Sequence, residues 1–404
     1  MAQHPRRRFL SMCVGGTTTL LFGCADAPGA DEGEGTGDGA PTTGGGDECP
    51  DPFADGVMLG VLDGFVGEAQ AAVGEFQGQG LDGRLALDLG TLEADGLIID
   101  NADFFIRTAL PDQLDLEQPW TINISGLVDA PLELSLAELA AMVQTSRVVL
   151  LECSGNGSNR AFGLISAAEW SGVLVADILE LVSIQAEATA VLIAGFDEHS
   201  QPSSQSTPGC SWVFRFDELA AAGAMLVTHM NGEPLPPDHG QPLRLIIPGW
   251  YGCCNVKWVD SIRLVDDSEP ATSQMLEFAT RTHQTAAHAL AADYSAAIMQ
   301  QAAMPVRVEQ WEVGGQILYK IVGIMWGGTE LTDALAIRFD GDEPIPVEVC
   351  APHVTNDTWT LWSYAWQPEA PGEYEITMAI DDPAIPTNRL DSGFYARRVR
   401  IEEI

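Results

Sequence analysis

A change of sequence periodicity near Ala302 constrains the fold more than any other feature of the chain. From Val57 to Ala302, helix-type and strand-type patterns alternate, whereas beyond Met304 only short β-type runs occur, separated by turn residues. The runs cover residues 317–326, 334–339, 346–350, 358–366, 372–380 and 395–401. Such a series is typical of an antiparallel sandwich. We therefore predict an α+β protein with a mixed α/β domain at 57–302 and an immunoglobulin-like β-sandwich, without helices, at 303–404.

Within the first region, a capping box marks the start of one helix. Ser135 is followed three residues later by Glu138, which predicts a helix through Gln144. The next apolar run, residues 147–151, is predicted to be a strand.

The same alternation recurs further along the chain. Asp217 is a candidate N-cap and Gly223 a candidate helix stop. Residues 224–228 then predict a strand, and Asn231 with Gly232 predicts a tight turn.

The first 24 residues have the features of an export signal. Residues 6–8, all arginine, form a twin-arginine pattern, and residues 12–22 are apolar but short for a membrane span. Cys24 has the position of a lipid-attachment cysteine. Because Phe22 is larger than the residue usual before such a cysteine, cleavage nearby without a lipid is the alternative. We expect an exported protein of the periplasm or cell envelope, with membrane contact only through a possible lipid at Cys24.

Residues 25–56 contain mainly Gly, Asp, Glu, Pro and Thr. A segment of this composition has little to bury, so we predict a flexible acidic linker.

The charge of the chain excludes one class of partner. It has 19 Lys and Arg residues against 58 Asp and Glu residues, a net charge of −39. This charge repels nucleic acid, which we exclude as a partner. It favours either a basic protein partner or solubility in a saline setting.

The cysteine spacing gives no metal or haem motif. Of eight cysteines, Cys13 and Cys24 fall in the signal, and no CxxC, CxxCH or zinc-type spacing occurs. Export permits disulfides, but the adjacent Cys253 and Cys254 are poorly placed to bridge each other.

One cysteine is well placed to bind a ligand. Residues 148–151 form an apolar run that stops at Glu152, Cys153 and a loop of Gly, Asn and Ser residues. A cysteine on a small-residue loop at the carboxyl end of a strand is suited to ligate a metal. The alternative is a buried structural thiol.

Three separated segments resemble the sulfite oxidase family of molybdenum enzymes, in that family's order. They are residues 101–107 (NADFFIR), residues 153–156 (CSGN), and residues 239–258, which contain HGQPLR, PGWYG and NVKW. The resemblance extends over roughly residues 97–404. It implies a mixed α+β domain that binds one molybdenum-molybdopterin cofactor (Moco), followed by an immunoglobulin-like domain often used for dimerisation.

The resemblance also implies roles for individual residues. Cys153 matches the cysteine whose thiolate ligates molybdenum. The matching cofactor-binding residues are Phe105, Arg107, His239, Arg244, Asn255 and Lys257, with His239, Arg244 and Lys257 expected to hold the pterin and phosphate. Arg107 and Arg160 are expected to bind an anionic substrate next to the metal. The alternatives are a surface ion pair for Arg107 and an ordinary tight loop for Asn255.

The chain departs from the family pattern around the substrate. Thr108 and Ala109 replace a usual Asn-His pair, and residues 157–159 separate the cysteine loop from Arg160. An arginine is usual where Cys254 stands, and no tyrosine occurs in residues 274–284. Because of these departures, the resemblance does not identify the substrate.

We therefore expect an exported molybdenum oxidoreductase that oxidises sulfite, or a related small oxyanion, and passes electrons to an external acceptor such as a cytochrome c. A homodimer is possible. The alternatives are a molybdopterin-dependent reductase of a sulfoxide or other oxyanion, and a cofactor-less lipoprotein that serves as a binding module.

Overall fold

The computed structural model describes residues 51–68, 73–201, 203–349 and 355–404. The strands are β1 (Val57–Val61), β2 (Thr121–Gly126), β3 (Leu132–Ser135), β4 (Thr145–Glu152), β5 (Ile165–Leu174), β6 (Ala190–Gly195), β7 (Ser211–Arg215), β8 (Met225–Met230), β9 (Glu233–Pro234), β10 (Arg244–Ile246), β11 (Val259–Val265), β12 (Ala302–Val313), β13 (Gln316–Trp326), β14 (Leu335–Phe339), β15 (Ile345–Pro346), β16 (Thr360–Trp366), β17 (Gly372–Ile380) and β18 (Arg397–Ile401). The helices are α1 (Leu136–Ala140), α2 (Val175–Leu179), α3 (Phe216–Ala222), α4 (Ser273–Phe278) and α5 (Asn388–Asp391). This content confirms the predicted α+β class.

The predicted capping box opens α1. Ser135 Oγ accepts a hydrogen bond from Glu138 N (3.3 Å), and Glu138 Oε2 accepts one from Ser135 N (2.9 Å). The helix ends at Ala140 rather than at the expected Gln144. The Gln144 amide instead donates to the Leu139 carbonyl (3.2 Å), which satisfies a carbonyl at the helix end.

Helix α3 begins earlier than the sequence predicts. Its N-cap is Arg215 and not Asp217, because the Glu218 carboxylate accepts a hydrogen bond from Arg215 N (3.0 Å). Asp217 therefore lies in the first turn. The helix stops, as predicted, at Gly223, which adopts the left-handed conformation with φ of 65°.

Two five-stranded sheets form the first region. One has the order β10-β8-β5-β4 with β9 beside β8, and the other has the order β3-β2-β11-β6-β7. Strands β8 and β9 are joined by the predicted turn at Asn231 and Gly232, both with positive φ. Strands β5 and β8 approach so closely at Gly172 that a Cβ there would lie 2.0 Å from the Leu226 carbonyl oxygen. Only glycine fits this position.

Two four-stranded antiparallel sheets form the C-terminal region, with the orders β1-β12-β13-β16 and β15-β14-β17-β18. Strand β1 was expected in the first domain but pairs with β12, Val57 lying opposite Glu312. The pairing covers an edge of the long strand β12, whose backbone groups would otherwise lack partners. Helix α5 contradicts the expectation of a helix-free region. Its turn is closed by a hydrogen bond from Thr387 Oγ1 to Asp391 (2.9 Å).

Two apolar cores hold these layers together. One is shared by the sheet containing β5 and the C-terminal sheets, and the other fills the first region. Strand β5 faces both, since the fully buried Trp170 lies in the first core and Val173 in the second. The immunoglobulin-like topology and the domain boundaries stay predictions.

A buried carboxylate connects the two regions beside the candidate metal ligand. Glu152, at the end of β4, is 1% exposed. Its oxygens accept hydrogen bonds from Tyr395 Oη (2.9 Å) and Trp326 Nε1 (3.1 Å), and the Arg389 guanidinium lies 3.9 Å away. Although burial alone would lower the pKa of Arg389, the Glu152 carboxylate raises it overall. The end of β4 is thus fixed by the C-terminal region.

The signal residues 1–24, including Cys24, lie outside the described residues and stay predictions. In the part of the chain that the structure describes, no helix combines the length and apolar character needed to cross a membrane. The described cysteines are free, and Cys253 and Cys254 have their sulfurs 3.9 Å apart.

Replacing Glu152 with Met should destabilise the folded protein by about 3–5 kcal/mol, because the Arg389 charge and two buried donors lose their acceptor. Urea unfolding measures the change. Glu375→Gln, which breaks an exposed ion pair with Arg398, serves as the control and should leave stability nearly unchanged. Equal stability of Glu152→Met and the parent would show that this carboxylate does not anchor the two regions.

Candidate functional site

The Cys153 thiol lies directly after β4 and is almost completely buried. The Cys153 sulfur accepts a hydrogen bond from the backbone N–H of Gly155 (3.4 Å). The backbone N–H of Cys153 donates to the Leu164 carbonyl (2.9 Å). Burial raises the pKa of the thiol, while the nearby Arg107 charge acts in the opposite direction. A bound cation would favour the thiolate further.

The loop after Cys153 is held in a strained conformation. A single 3-10 turn at Ser158–Arg160 is followed by Ala161 and Phe162, which have φ of 46° and 58°. The Asn156 side chain closes the loop, because its Oδ1 accepts from Leu164 N (3.0 Å). Left-handed backbone at a bulky residue is costly and concentrates at functional sites.

One cleft brings together seven of the eight predicted site residues. We call it the cofactor cleft. It has a volume of about 810 Å³, a value that includes the solvent at its opening. The predicted residues that line it are Phe105, Arg107, Cys153, His239, Arg244, Asn255 and Lys257. They come from three separated segments, 101–107, 153–156 and 239–258, so the fold brings together residues that the motifs predicted separately.

Arg244 supplies a buried cation with a free donor. Its Nη1 donates to the His239 carbonyl (3.2 Å), and its guanidinium lies 5.1 Å from the centre of the Trp170 ring. Its Nε is buried without a hydrogen-bond partner among the described residues. Burial lowers the pKa of Arg244 to about 10, which leaves it charged at neutral pH. A buried donor of this kind is suited to an anion that enters the cleft.

Lys257 lies beside Arg244 and is held by the backbone. Its Nζ donates to the carbonyls of Thr108 and Asp238, the latter at 2.9 Å. A Cβ at Gly195 would lie 2.0 Å from the Lys257 carbonyl oxygen, so a glycine is needed where β6 passes this segment. Burial, with the Arg244 charge as a second cause, lowers the pKa of Lys257 to about 7.

His239 is buried beside Arg244 and Lys257. Its Nε2 lies 3.0 Å from the Asn101 carbonyl oxygen, to which it donates. Burial lowers the pKa of His239 to about 3, and the charges of Arg244 and Lys257 add to this effect. The ring is therefore neutral, and its Nδ1 is left as a hydrogen-bond acceptor.

Asn255 has a clear role within its own loop. Its Oδ1 accepts from Ile247 N (2.7 Å), and its amide donates to the carbonyls of Trp250 (3.3 Å) and Tyr251 (3.0 Å). These contacts favour the tight-loop interpretation. Cofactor binding by Asn255 stays a prediction.

Arg107 joins the cofactor cleft to a second cavity. Its Nη1 donates to Ser206 Oγ (3.2 Å), and no carboxylate among the described residues forms an ion pair with it, contrary to the surface-pair alternative. Nearby, Phe105 is stacked on Phe104 and its N–H donates to Ser166 Oγ (3.2 Å).

The second cavity, here called the outer cavity, contains Arg160. It has an empty volume of about 1490 Å³, including its wide opening. Five arginines line it: Arg84, Arg107, Arg160, Arg281 and Arg389. The displaced Arg160 therefore reaches the same space as Arg107, although it does not line the cofactor cleft.

Sequence reasoning missed Arg84, Arg281 and Arg389. They stand alone in segments without a recognised motif, and each reaches the cavity from a different part of the fold. The scarcity of basic residues in this chain could have identified these three arginines. With only 19 basic residues in 404, each arginine outside a visible surface pattern is a candidate.

No cluster of three or more His, Cys, Asp or Glu side chains within the described ranges is arranged to hold a metal ion. Cys210 and Cys253 also line the cofactor cleft. Burial raises the pKa of Cys210 to about 12, so it is a neutral thiol.

Comparison with known proteins agrees with this geometry. A family model described as an oxidoreductase molybdopterin binding domain matches residues 108–273. Sulfite oxidase of Gallus gallus is 26% identical over 321 residues, which cover 72% of this chain and 68% of that protein. An NADPH nitrate reductase of Aspergillus niger is 31% identical over 194 residues, which cover 44% of this chain. The chain spans only 22% of the length of that reductase.

A solved structure has the same fold. The sulfane dehydrogenase SoxCD of Paracoccus pantotrophus matches with a TM-score of 0.58 and 18% identity, over 79% of this chain and 82% of that chain. The free Nε of Arg244, the lysine beside it and the thiol of Cys153 fit a cofactor that has an anionic phosphate and a thiolate-binding metal. The chain is therefore a molybdopterin-binding oxidoreductase that is similar to sulfite oxidases, and it binds a molybdenum-molybdopterin cofactor.

Proposed function

We propose that this oxidoreductase oxidises sulfite, or a closely related sulfur oxyanion, and passes the electrons to an external acceptor. The observation that carries the proposal is the position of Arg107, which lines both the cofactor cleft and the arginine-rich outer cavity. An anion held by Arg107 shares the cofactor cleft with the Cys153 thiol. Two relatives are named sulfite oxidases.

The bound cofactor supplies two-electron oxygen-atom transfer at molybdenum. Cys153 would ligate the metal through its thiolate. Arg244 and Lys257 would hold the phosphate, and the neutral His239 would accept a hydrogen bond from the pterin through Nδ1. Arg107 would orient the substrate anion by charge-assisted hydrogen bonds, and Arg160 would add positive charge from the adjoining outer cavity.

The electron acceptor in this proposal is a small basic protein such as a cytochrome c. The net charge of −39 supports it, because a strongly acidic surface steers a basic partner. The arginine pattern at residues 6–8 supports export to the periplasm or cell envelope, and Cys24 supports a lipid anchor. We also propose that the protein forms a homodimer.

The substrate assay uses purified, molybdenum-loaded protein with ferricyanide or cytochrome c as acceptor. We expect turnover with sulfite and none in the dye-driven reduction of sulfoxides. The reverse result would favour the reductase alternative. A correctly matured preparation without molybdenum would favour the cofactor-less module.

Cys153→Ser should lower the turnover of sulfite by about 100-fold or more, because an alcohol does not replace the metal-bound thiolate. The visible absorption of the molybdenum–thiolate bond should also disappear. Cys254→Ala removes a buried thiol that does not line the cofactor cleft and is the matched control. Full turnover in Cys153→Ser would refute the ligand role.

Anion binding at Lys257 should depend on pH. Because the pKa of Lys257 is lowered to about 7, half of the lysine is neutral at that pH, and an adjacent anion favours the charged form. Binding therefore takes up a proton and should be about tenfold tighter at pH 6 than at pH 8. Calorimetric titration of the cofactor-free protein with sulfate, whose charge is constant over this range, measures the effect.

The pH dependence should vanish in Lys257→Gln and persist in Lys320→Gln. Lys320 is the only other lysine of the chain and lies near Phe53 in the C-terminal region. A pH dependence that survives in Lys257→Gln would assign it to another group.

A further inference from the structure

The outer cavity has a charge unlike that of the protein as a whole. Five arginines line it, and no Asp or Glu is among its lining residues. This occurs in a chain with 58 acidic and 19 basic residues. A cavity of this composition is a site for an anion with more than one charged group.

Two of the five arginines form the frame of the cavity. Arg84 donates to the carbonyls of Leu81 and Gly83, both at 2.9 Å. Arg389 donates to the carbonyl of Ser154 (2.7 Å). Their guanidinium groups are fixed by these contacts, and each also has a carboxylate partner, Asp82 at 3.5 Å for Arg84 and Glu152 at 3.9 Å for Arg389.

Arg160 and Arg281 keep their guanidinium groups available. Arg160 forms no ion pair with any described residue, and the side chain of Arg281 is 46% exposed with one acidic contact, Glu277, at 3.6 Å. The backbone around Arg281 is fixed, since its carbonyl accepts from Arg389 Nη2 (2.6 Å). Both side chains are positioned to bind an added anion.

Arg281 lies close to the candidate metal ligand Cys153. A Cβ built on Gly155 would be 3.6 Å from Arg281 Nη1 and 3.8 Å from Cys153 Sγ. The guanidinium and the thiol therefore flank the same residue. A short ligand can reach from the metal site past Gly155 to Arg281.

The size and the walls of the outer cavity suit an organic molecule. About 720 Å³ of it is open to water-sized molecules, which lies within the roughly 300–1000 Å³ of sites for drug-sized ligands, so sulfite would occupy a small part of it. Phe162, Leu164 and Phe394 contribute apolar wall between the arginines. Apolar side chains can pack against a carbon chain, whereas an inorganic ion offers no apolar surface for them to contact.

We propose that the substrate is an organic sulfinate that carries a second anionic group, a carboxylate. This inference rests on the proposed oxidation of a sulfur oxyanion. The sulfinate lies at Arg107, where the two cavities join. The carboxylate is bound by Arg281 and Arg160 in the outer cavity, and the carbon chain lies against Phe162 and Phe394.

The reaction is balanced with water and the external acceptor. The sulfinate gains one S–O bond and becomes a sulfonate. Water supplies the oxygen, both of its O–H bonds break, and two protons are released to solvent. Two electrons leave the sulfur and pass singly to the acceptor.

The test compares 3-sulfinopropionate with propanesulfinate, which lacks the carboxylate, and with sulfite, using molybdenum-loaded protein and ferricyanide. We expect kcat/KM to be at least about tenfold higher for 3-sulfinopropionate than for propanesulfinate, the effect of one charge-assisted hydrogen bond. Arg281→Gln should abolish this preference. Arg398→Gln, which changes an exposed arginine elsewhere, should keep it.

A binding measurement tests the substrate assignment without relying on turnover. Calorimetry with the unreactive 3-sulfopropionate should show about tenfold weaker binding to Arg281→Gln than to the parent, while propanesulfonate binds both equally. Arg160→Gln should reduce 3-sulfopropionate binding in the same way. An unchanged thermal midpoint confirms that the variants are folded.

The outcomes separate the two proposals. Oxidation of sulfite with equal kcat/KM for the two sulfinates, or a preference unchanged in Arg281→Gln, overturns this inference and leaves the proposed function intact. Failure of the loaded protein to oxidise any sulfur oxyanion overturns the proposed function, and the substrate assignment falls with it.

Discussion

The burial of the Glu152 carboxylate is the constraint on which the site depends. A charge removed from water needs several partners. Tyr395, Trp326 and Arg389 supply three of them from the C-terminal region, and the Asn156 amide of the neighbouring loop adds a longer hydrogen bond (3.4 Å). Because Glu152 directly precedes Cys153, the same contacts fix the position of the thiol. The C-terminal region thus helps to form the candidate metal site as well as packing against the first region.

The sequence predicted the cofactor cleft better than the outer cavity. The residues of the cleft lie within motifs whose order along the chain is distinctive, so Cys153, Arg244 and Lys257 could be named before their distances were known. Arg281 and Arg389 lie in no such motif, and only tertiary contacts bring them together. Likewise, the burial of Glu152 depends on partners about 170 and 240 residues away, a relation that no local pattern carries.

The fold shows the same division between local and long-range information. The α1 capping box and the stop at Gly223 are local, and both are confirmed. The pairing of β1 with β12 could not be predicted, because β12 begins more than 200 residues later and an apolar run does not reveal which sheet it joins. Helix α5 was missed because one helical turn closed by Thr387 and Asp391 is too short for a periodic signal.

The strong acidity of the chain and an anionic substrate are compatible because the two act over different distances. At physiological salt, charges further apart than about 8 Å are largely screened, so an approaching small anion responds mainly to nearby groups. Inside the outer cavity those groups are arginines, which an anion bound there meets at separations where salt screens little. A large basic protein, in contrast, contacts many surface carboxylates at once. One chain can therefore attract a basic electron acceptor over its surface and still bind an anion next to Cys153.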